Sequence, residues 1–474
     1  MEKKQQMNRR LKSRHIELMA LGGTIGTGLF LGSGKAIREA GPAILLAYLI
    51  TGIICFGIMR ALGELLLSNL HYRSFMEAIR DYLGPRVSFV AGWAYWACWL
   101  ALAMAEITAV GLYIQIWLPH VPQWIPGLIT LVIFLCLNLI TVNVFGEIEF
   151  WFALIKILAI VILVVVGILM MILQFKTTDG YVASPMNLVR YHGFFATGLG
   201  GFARSFQMVV FAFVGIEMVG VTAAEAENPR KVIPRAINGI PIRILLFYIG
   251  ALAVIMCIYP WDHLSPNNSP FVLVFRDAGL RGAASIVNFV VITAAASACN
   301  SSIYTTGRML AELTSNAHRP AIRRISRLSK RAVPARAVVI SSLVIGLAAI
   351  LNLVMPGEVF TFISSIATTS FLFIWAAIIL AHLRYIRLHP DERTFKMPGA
   401  PVTDYLILAF LAFVMAVLCL ERQTLEALIL TLVWFAILSV ASLSQPKYKS
   451  TRYLNEDGPA SCDGVLDHLV LMVI

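Results

Sequence analysis

Residues 16–37, IELMALGGTIGTGLFLGSGKAI, form an apolar stretch with glycines crowded into its middle. Four glycines fall within residues 22–28, and Thr24 and Thr27 stand between them. A glycine in a helix interior costs about 1 kcal/mol relative to alanine. Close packing between membrane helices is one explanation, because small residues line such interfaces. The other is an unwound segment whose free N–H groups bind an anion, and the density of glycines favours it.

A second apolar stretch, FARSFQMVVFAFVGIEMVGVTAAEAENP at 202–229, is interrupted by Gly215, Glu217 and Gly220. A carboxylate in the membrane interior costs about 3 kcal/mol or more. Glu217 is therefore either a protonated, hydrogen-bonded structural group or a proton-titrating group at a second helix break. Corresponding interruptions in two halves of a chain point to a transporter binding site, where half-helix N-termini face an anion and freed carbonyls face a cation. A zwitterionic amino acid carries both charges.

The composition agrees with a polytopic membrane protein. Of the 474 residues, 59% are hydrophobic and 14% are charged, and the mean hydropathy is +0.79. No soluble enzyme, disordered chain or fibre could hide that much apolar surface. Because the apolar runs are continuous rather than alternating, an all-α fold is expected, with about 20 residues in each span. The twelve predicted spans are 16–38, 42–67, 87–116, 125–144, 148–174, 201–225, 240–260, 283–311, 335–355, 358–382, 403–420 and 425–444.

The positive charges predict the topology. The net charge is +12, and in a membrane protein such an excess collects in cytoplasmic loops rather than marking a nucleic-acid partner. If both termini are cytoplasmic, 26 of the 38 Lys and Arg residues lie in cytoplasmic segments and seven in outer loops. The predicted organisation is a cytoplasmic N-tail at 1–15, one transporter domain at 16–444 and a cytoplasmic C-tail at 445–474.

Two further ionisable positions have two explanations each. Lys156 lies one-third of the way into the fifth span, where it could snorkel to the interface or take part in coupling. Glu106 in the third span could serve transport or simply form a structural hydrogen bond. Arg60 and Glu64, four residues apart on the second span, predict a helical ion pair. The aromatic cluster at 93–99 is more typical of an interface belt or core than of a substrate wall.

The sequence contains no motif that indicates an enzyme and no segment that indicates a receptor. The stretch LGSGKA at 31–36 fails as a phosphate loop, because Leu29 and Ala36 stand where glycine and Ser or Thr are required. No dinucleotide fingerprint or HExxH motif is present, and no loop is long enough for a sensing domain. We therefore expect a protein that is not an enzyme and has neither a cofactor nor a metal.

The sequence resembles the bacterial amino acid permeases of the amino acid–polyamine–organocation superfamily, over residues 10–446. The resemblance includes AGPAILLAYLI (40–50), MRALGELL (59–66), GEIEFWFALIK (146–156), PFVLVF (270–275) and both interrupted stretches. PRAINGIPIRILLFY (234–248), NFVVITAAASACNSS (288–302) and SKRAVPA (329–335) look most like the D-serine/D-alanine/glycine permease branch.

The resemblance implies two inverted five-helix repeats, at about 16–174 and 201–382, followed by two helices at 403–444. Spans 1 and 6 would be unwound at mid-membrane. In the family, N–H groups of the first break bind the substrate carboxylate, and the matching residues are Gly26, Thr27 and Gly28. Carbonyls of both breaks hold the substrate ammonium, and the matching residues are Thr24, Phe211 and Val214.

The resemblance also implies roles for three side chains. The Phe211 ring would close over the substrate as a gate. Lys156 matches a lysine that replaces a sodium site in some relatives and is proposed to couple protons. Glu217 matches an acid linked to proton sensing.

The implied activity is import of small neutral amino acids, namely D-serine, D-alanine, glycine and L-alanine, across the cytoplasmic (inner) membrane by proton symport. The expected partners are the amino acid, protons and the lipid bilayer, and the energy source is the proton gradient. Larger neutral, threonine-like or aromatic amino acids remain the alternative, because the sequence does not give the volume of the side-chain pocket.

Overall fold

The protein is all-helical over the part of the chain that the structure describes. The computed structural model describes residues 25–443, apart from 73, 141, 179, 219–227, 265–268, 278, 316, 318, 330–332, 356, 391–392 and 394. Within these ranges the β-structure is limited to one isolated antiparallel bridge, between Lys176 and Val182. The predicted tails and the beginning of the first predicted span lie outside the described residues.

The helices follow the predicted spans closely. In chain order they are α1 (Thr27–Phe30), α2 (Gly32–Ala40), α3 (Ile44–Ser68), α4 (Phe75–Leu83), α5 (Pro85–Gln115), α6 (Trp124–Ile140), α7 (Val142–Ile172), α8 (Asn187–Arg190), α9 (Gly198–Phe211), α10 (Pro229–Asn238), α11 (Ile240–Arg243), α12 (Ala251–Ile258), α13 (Pro270–Asp277), α14 (Arg281–Ser315), α15 (Pro320–Arg323), α16 (Ala335–Val354), α17 (Val359–Leu388), α18 (Val402–Val417) and α19 (Arg422–Ser442). A π-helix, Ile244–Gly250, joins α11 to α12, and short 3₁₀ helices form at Gly41–Ala43, Trp261–His263 and Arg324–Ser326.

Eight helical segments of the described chain are long and apolar enough to cross a membrane. Two shorter apolar helices, α6 and α18, coincide with the fourth and eleventh predicted spans. Leu158, Ile162 and Leu169 on α7 are each at least half exposed. In a membrane, lipid tails cover such an apolar face, so it is not exposed to water. Tyr113 on α5 and Trp375 on α17 are fully buried, so these two helices form the centre of the bundle.

The first described helix begins among the glycines. α1 begins at Thr27, and the Gly26 backbone before it is extended, with φ −128° and ψ −156°. Leu31 separates α1 from α2. The chain therefore enters the bundle with backbone groups that no helix has paired.

A second interruption follows α9. Regular helix stops at Phe211, and residues 212–217 form consecutive turns. Gly215 has φ +90°, a conformation that side chains with a Cβ rarely adopt. The predicted sixth span is thus broken one turn before Glu217.

The seventh predicted span, 240–260, begins earlier in the structure than in the sequence analysis. α10 starts at Pro229, which occupies the first helical turn, where its missing N–H costs nothing. Ile233 and Ile237, one turn apart, are buried against Gly63 of α3. The charged and proline-containing stretch thus becomes an amphipathic helix because one face packs on the bundle.

We expect the substitution Gly111→Ala to lower the thermal midpoint of the purified protein. A Cβ on Gly111 would lie 2.2 Å from the carbonyl oxygen of Gln123, and such overpacking costs about 1–3 kcal/mol. Gly282→Ala is the matched control, because no atom lies within 4 Å of its Cβ position. Equal midpoints for the two variants would contradict this packing of α5 against the start of α6.

Candidate substrate-binding site

The two interruptions touch each other through backbone atoms. A Cβ on Gly28 would lie 2.6 Å from the Cα of Ala212 and 3.1 Å from the carbonyl oxygen of Phe211. Only glycine allows α1 to approach the end of α9 so closely. The predicted site residues Gly28 and Phe211, 183 positions apart, are therefore neighbours.

Glu106 lies against the first interruption. Its Oε1 accepts a hydrogen bond from the backbone N–H of Thr27 at 3.3 Å. Its other oxygen, Oε2, is buried and has no hydrogen-bond partner among the described residues. The carboxyl group of α5 thus faces backbone N–H groups at the start of α1, which would also attract an anionic substrate group.

Lys156 is buried and does not snorkel to the interface. Its Nζ donates to the carbonyl oxygen of Ile25 at 3.2 Å and contacts Ser297 Oγ at 3.2 Å. The ammonium group therefore binds one of the carbonyls that the first interruption frees. It also joins α7 and α14 to the chain that enters α1.

Sequence reasoning missed Glu149 as a functional candidate. Its Oε2 accepts from Ser297 Oγ at 2.8 Å, and its Oε1 accepts from Asn300 Nδ2 at 3.0 Å. Ser297 therefore connects this carboxylate to Lys156. The available signal was the spacing of seven between Glu149 and Lys156, which puts both on one face of a helix.

Glu217 is bonded to neutral donors. Its Oε1 accepts from the Tyr95 hydroxyl at 3.1 Å and its Oε2 from Trp375 Nε1 at 3.4 Å. The side chain is fully buried. The carboxyl group thus links the end of the second interruption to α5 and α17, the two central helices.

The other predicted residues of the second interruption are buried around it. The Phe211 ring packs edge-on against Phe360 of α17, with ring centroids 5.8 Å apart. Val214 is buried, and its N–H donates to the Phe211 carbonyl at 3.1 Å. The Tyr248 hydroxyl donates to the Ala212 carbonyl at 3.0 Å and fixes the first turn after α9.

The aromatic cluster on α5 divides into two pairs. Trp99 lies 3.5 Å from the Cβ position of Gly215 and packs edge-on with Tyr95 at 6.0 Å. Trp93 and Trp96 pack on each other at 5.6 Å, and the Trp96 Nε1 donates to Ser341 on α16. One pair therefore lines the second interruption, whereas the other belongs to the helix packing.

The structure thus gathers most of the predicted site residues around the two interruptions. Gly28 meets the Phe211 carbonyl, Gly26 and Thr27 meet Glu106, and Lys156 reaches the same segment through the Ile25 carbonyl. Glu217 stands on the other side of the second interruption. Thr24 lies outside the described residues. Within the described ranges, no group of three or more His, Cys, Asp or Glu side chains could hold a metal ion.

A multi-pass helical bundle in which the start of one helix meets the broken end of another has the form of a membrane transporter. The amino acid permease family matches residues 15–449, and the chain belongs to that family, whose members are transporters rather than enzymes. The chain is 56% identical over 439 residues to the uncharacterized transporter YdgF of Bacillus subtilis, covering 92% of this chain and 95% of the relative. Identity to the amino-acid permease AapA of the same organism is 56%, covering 92% and 94%. The D-serine/D-alanine/glycine transporter of Escherichia coli K12 is 46% identical over 444 residues, covering 93% and 94%.

We expect Gly28→Ala to reduce the initial rate of amino acid uptake by about a hundredfold, because displacing a binding element by about 1 Å has effects of that size. The new methyl group would overlap the Ala212 backbone and force the two interruptions apart. The measurement is uptake of labelled amino acid into vesicles holding equal amounts of folded protein.

Gly32→Ala is the control for this experiment. A Cβ on Gly32 meets its nearest atom, the Met208 sulfur, at an ordinary 3.4 Å. This variant should transport like the wild type. Unimpaired uptake by Gly28→Ala would show that the close approach of the two segments is not needed.

Proposed function

We propose that the protein is a secondary transporter that imports small neutral amino acids across the cytoplasmic membrane together with protons. D-serine, D-alanine, glycine and L-alanine are the proposed substrates. The identity of 46% to a D-serine/D-alanine/glycine transporter over 93% of the chain supports this substrate class. The observation that carries the proposal is the contact of the two interrupted helices at Gly28 and Ala212.

The proposed architecture is twelve spans in two inverted five-helix repeats, spans 1–5 and 6–10, followed by two helices, with both termini cytoplasmic. Ten apolar segments of the described chain support ten of the spans. The remaining two are the interrupted segments around Gly26 and Ala212. Each would be the first span of its repeat, which is the position where inverted-repeat transporters bind their substrate.

In the proposed mode of binding, the substrate carboxylate is held by N–H groups of Gly26, Thr27 and Gly28. The first N–H groups of a helix lack intrahelical acceptors and carry partial positive charge. The substrate ammonium would be held by carbonyl oxygens, with Thr24, Phe211 and Val214 as the proposed residues. Glu106 accepts from the Thr27 N–H in this structure, so the substrate carboxylate would replace it there.

Crowding around the second interruption favours a small side chain. Phe211 packs on Phe360, and Trp99 approaches the Cβ position of Gly215 to 3.5 Å. A substrate held by backbone groups between these rings has little room beyond its Cα. In this proposal the Phe211 ring moves away from Phe360 to admit the substrate and then closes over it.

Proton coupling is proposed to act through Lys156 and Glu217. A charged Lys156 ammonium holds the Ile25 carbonyl and is balanced by Glu149 through Ser297. Loss of its proton removes the charge and weakens the hold on the first interruption, because a neutral donor makes a weaker hydrogen bond. Protonation of Glu217 would correspondingly weaken the bonds from Tyr95 and Trp375 at the second interruption.

The substrate class is tested by uptake of labelled glycine into proteoliposomes with an inward proton gradient and no sodium. We expect accumulation that D-alanine and D-serine block and L-phenylalanine does not. Accumulation of phenylalanine or threonine without glycine uptake would instead support the alternative, a permease for larger neutral, threonine-like or aromatic amino acids. Glycine uptake that requires sodium would overturn proton coupling.

We expect Lys156→Ala to abolish gradient-driven accumulation, because no cation would then hold the Ile25 carbonyl. The control is Lys176→Ala, which removes an exposed lysine of the same chain. Both variants are measured for accumulation at the same proton gradient and for folding by thermal midpoint. Full accumulation by Lys156→Ala would remove Lys156 from the coupling mechanism.

A further inference from the structure

Three titratable side chains form a buried cluster at the basic end of the bundle, which the Lys and Arg bias predicts to be cytoplasmic. They are Glu64 of α3, His382 of α17 and Asp404 of α18, and each is at most 1% exposed. His382 Nε2 lies 3.0 Å from Glu64 Oε2, and His382 Nδ1 lies 3.0 Å from Asp404 Oδ1. The imidazole is thus held between two carboxyl groups.

These two contacts require an additional proton. Each N···O distance of 3.0 Å is a hydrogen bond and needs one hydrogen. A neutral imidazole has a single N–H, and two ionised carboxylates have none. The second contact would then set a nitrogen lone pair against a carboxylate oxygen. The observed geometry therefore contains one proton more than a neutral histidine and two carboxylates.

The same cluster holds the connection between α17 and α18, residues 389–401, at Arg393 and Met397; residues 391, 392 and 394 lie outside the described residues. Arg393 donates to Glu64 through Nε and, at 3.0 Å, through Nη2. The backbone N–H of Met397 donates to Glu64 Oε2 at 2.7 Å. The hydrogen bonds to Glu64 raise the pKa of the Arg393 guanidinium, so it remains cationic.

Charge balance agrees with the extra proton. Counting only the groups bonded to one another within the cluster, two carboxylates, one cationic Arg393 and one additional proton sum to zero, and a buried cluster with unbalanced charge would be costly. The predicted ion pair between Arg60 and Glu64 does not form. The Arg60 guanidinium instead stacks on Phe395 at 3.7 Å and donates to the Lys396 carbonyl. The other titratable or charged groups on the described parts of the elements around the cluster include Tyr82 of α4, Arg384, Tyr385, Arg387 and His389 of the α17 end, Tyr405 of α18 and Lys396.

We propose that Glu64, His382 and Asp404 form a proton-binding site, distinct in its residues from Lys156 and Glu217, whose proton fastens the 389–401 connection over the end of α3. α3 also packs against α10 through Gly63 and Ile237, so this fastening closes the basic end of the bundle. Loss of the proton leaves one unmatched negative charge and one repulsive contact. The connection is then released.

The pH dependence follows from counting protons. Exposed to water at pH 7.5, a histidine and two carboxylates together hold less than one proton, because their usual pKa values are about 6.5 and about 4. The fastened state therefore holds about one more proton than the released state. Raising the pH must favour release, by up to a factor of about ten per pH unit.

The experiment measures amide hydrogen exchange of a peptide containing Met397, in the purified full-length protein between pH 6.5 and 8.5. Rates are corrected for the chemical pH dependence of exchange in an unfolded peptide. No substrate or gradient is present, so the outcome is independent of the transport proposal. The wild type should show an opening constant that rises with pH, with a slope approaching tenfold per unit.

Asp404→Asn removes the need for the additional proton while it keeps both contacts of His382. The new Asn amide can donate to His382 Nδ1, and the Nε2–H of a neutral His382 donates to Glu64. We expect its opening constant to be independent of pH. Asp404→Leu, with an apolar side chain of similar size, also removes the second carboxylate, so that a neutral His382 needs to donate only to Glu64, and it serves if the first variant does not fold. Glu421→Gln, which breaks the contact between Lys35 and Glu421 elsewhere in the protein, should keep the wild-type slope.

A wild-type opening constant that does not change with pH would overturn the proposal. So would an Asp404→Asn variant with the same slope as the wild type, because the proton would then be bound elsewhere.

Discussion

The contact between Gly28 and Ala212 is the constraint on which the arrangement of the site depends. A Cβ on Gly28 would lie 2.6 Å from the Cα of Ala212, so the approach requires a residue without a side chain on α1. Because regular helix also ends at Phe211, backbone groups of two distant parts of the chain meet here outside continuous helix.

The buried charges are arranged around that contact. Lys156 pairs with the Ile25 carbonyl on one side, and Glu217 accepts from Tyr95 and Trp375 on the other. Ionisable groups in a membrane interior persist only when they are bonded or serve function. Each of these groups therefore stabilises one interrupted segment, and a change in its protonation changes how firmly that segment is held. In the proposed mechanism, substrate binding and proton binding act on the same elements.

The sequence predicted the class of fold because its apolar runs are long and continuous, and it singled out candidate site residues because glycine and charge are conspicuous within those runs. The interruptions at residues 26 and 215 and the residues Lys156 and Glu217 were visible for that reason. Glu149 was not identified, because Ser297 and Asn300, its partners, lie almost 150 positions away. Glu64 was assigned to Arg60 by helical spacing, whereas its hydrogen bonds go to His382, Arg393 and Met397. Local spacing carries no information on contacts made by a distant connection.

The most direct test of the account is a structure of the protein with a bound amino acid. We predict that the substrate carboxylate lies within hydrogen-bond distance of the N–H groups of Gly26–Gly28, and its ammonium within reach of the Phe211 and Val214 carbonyls. A bound amino acid that contacts neither interrupted segment would contradict the central claim.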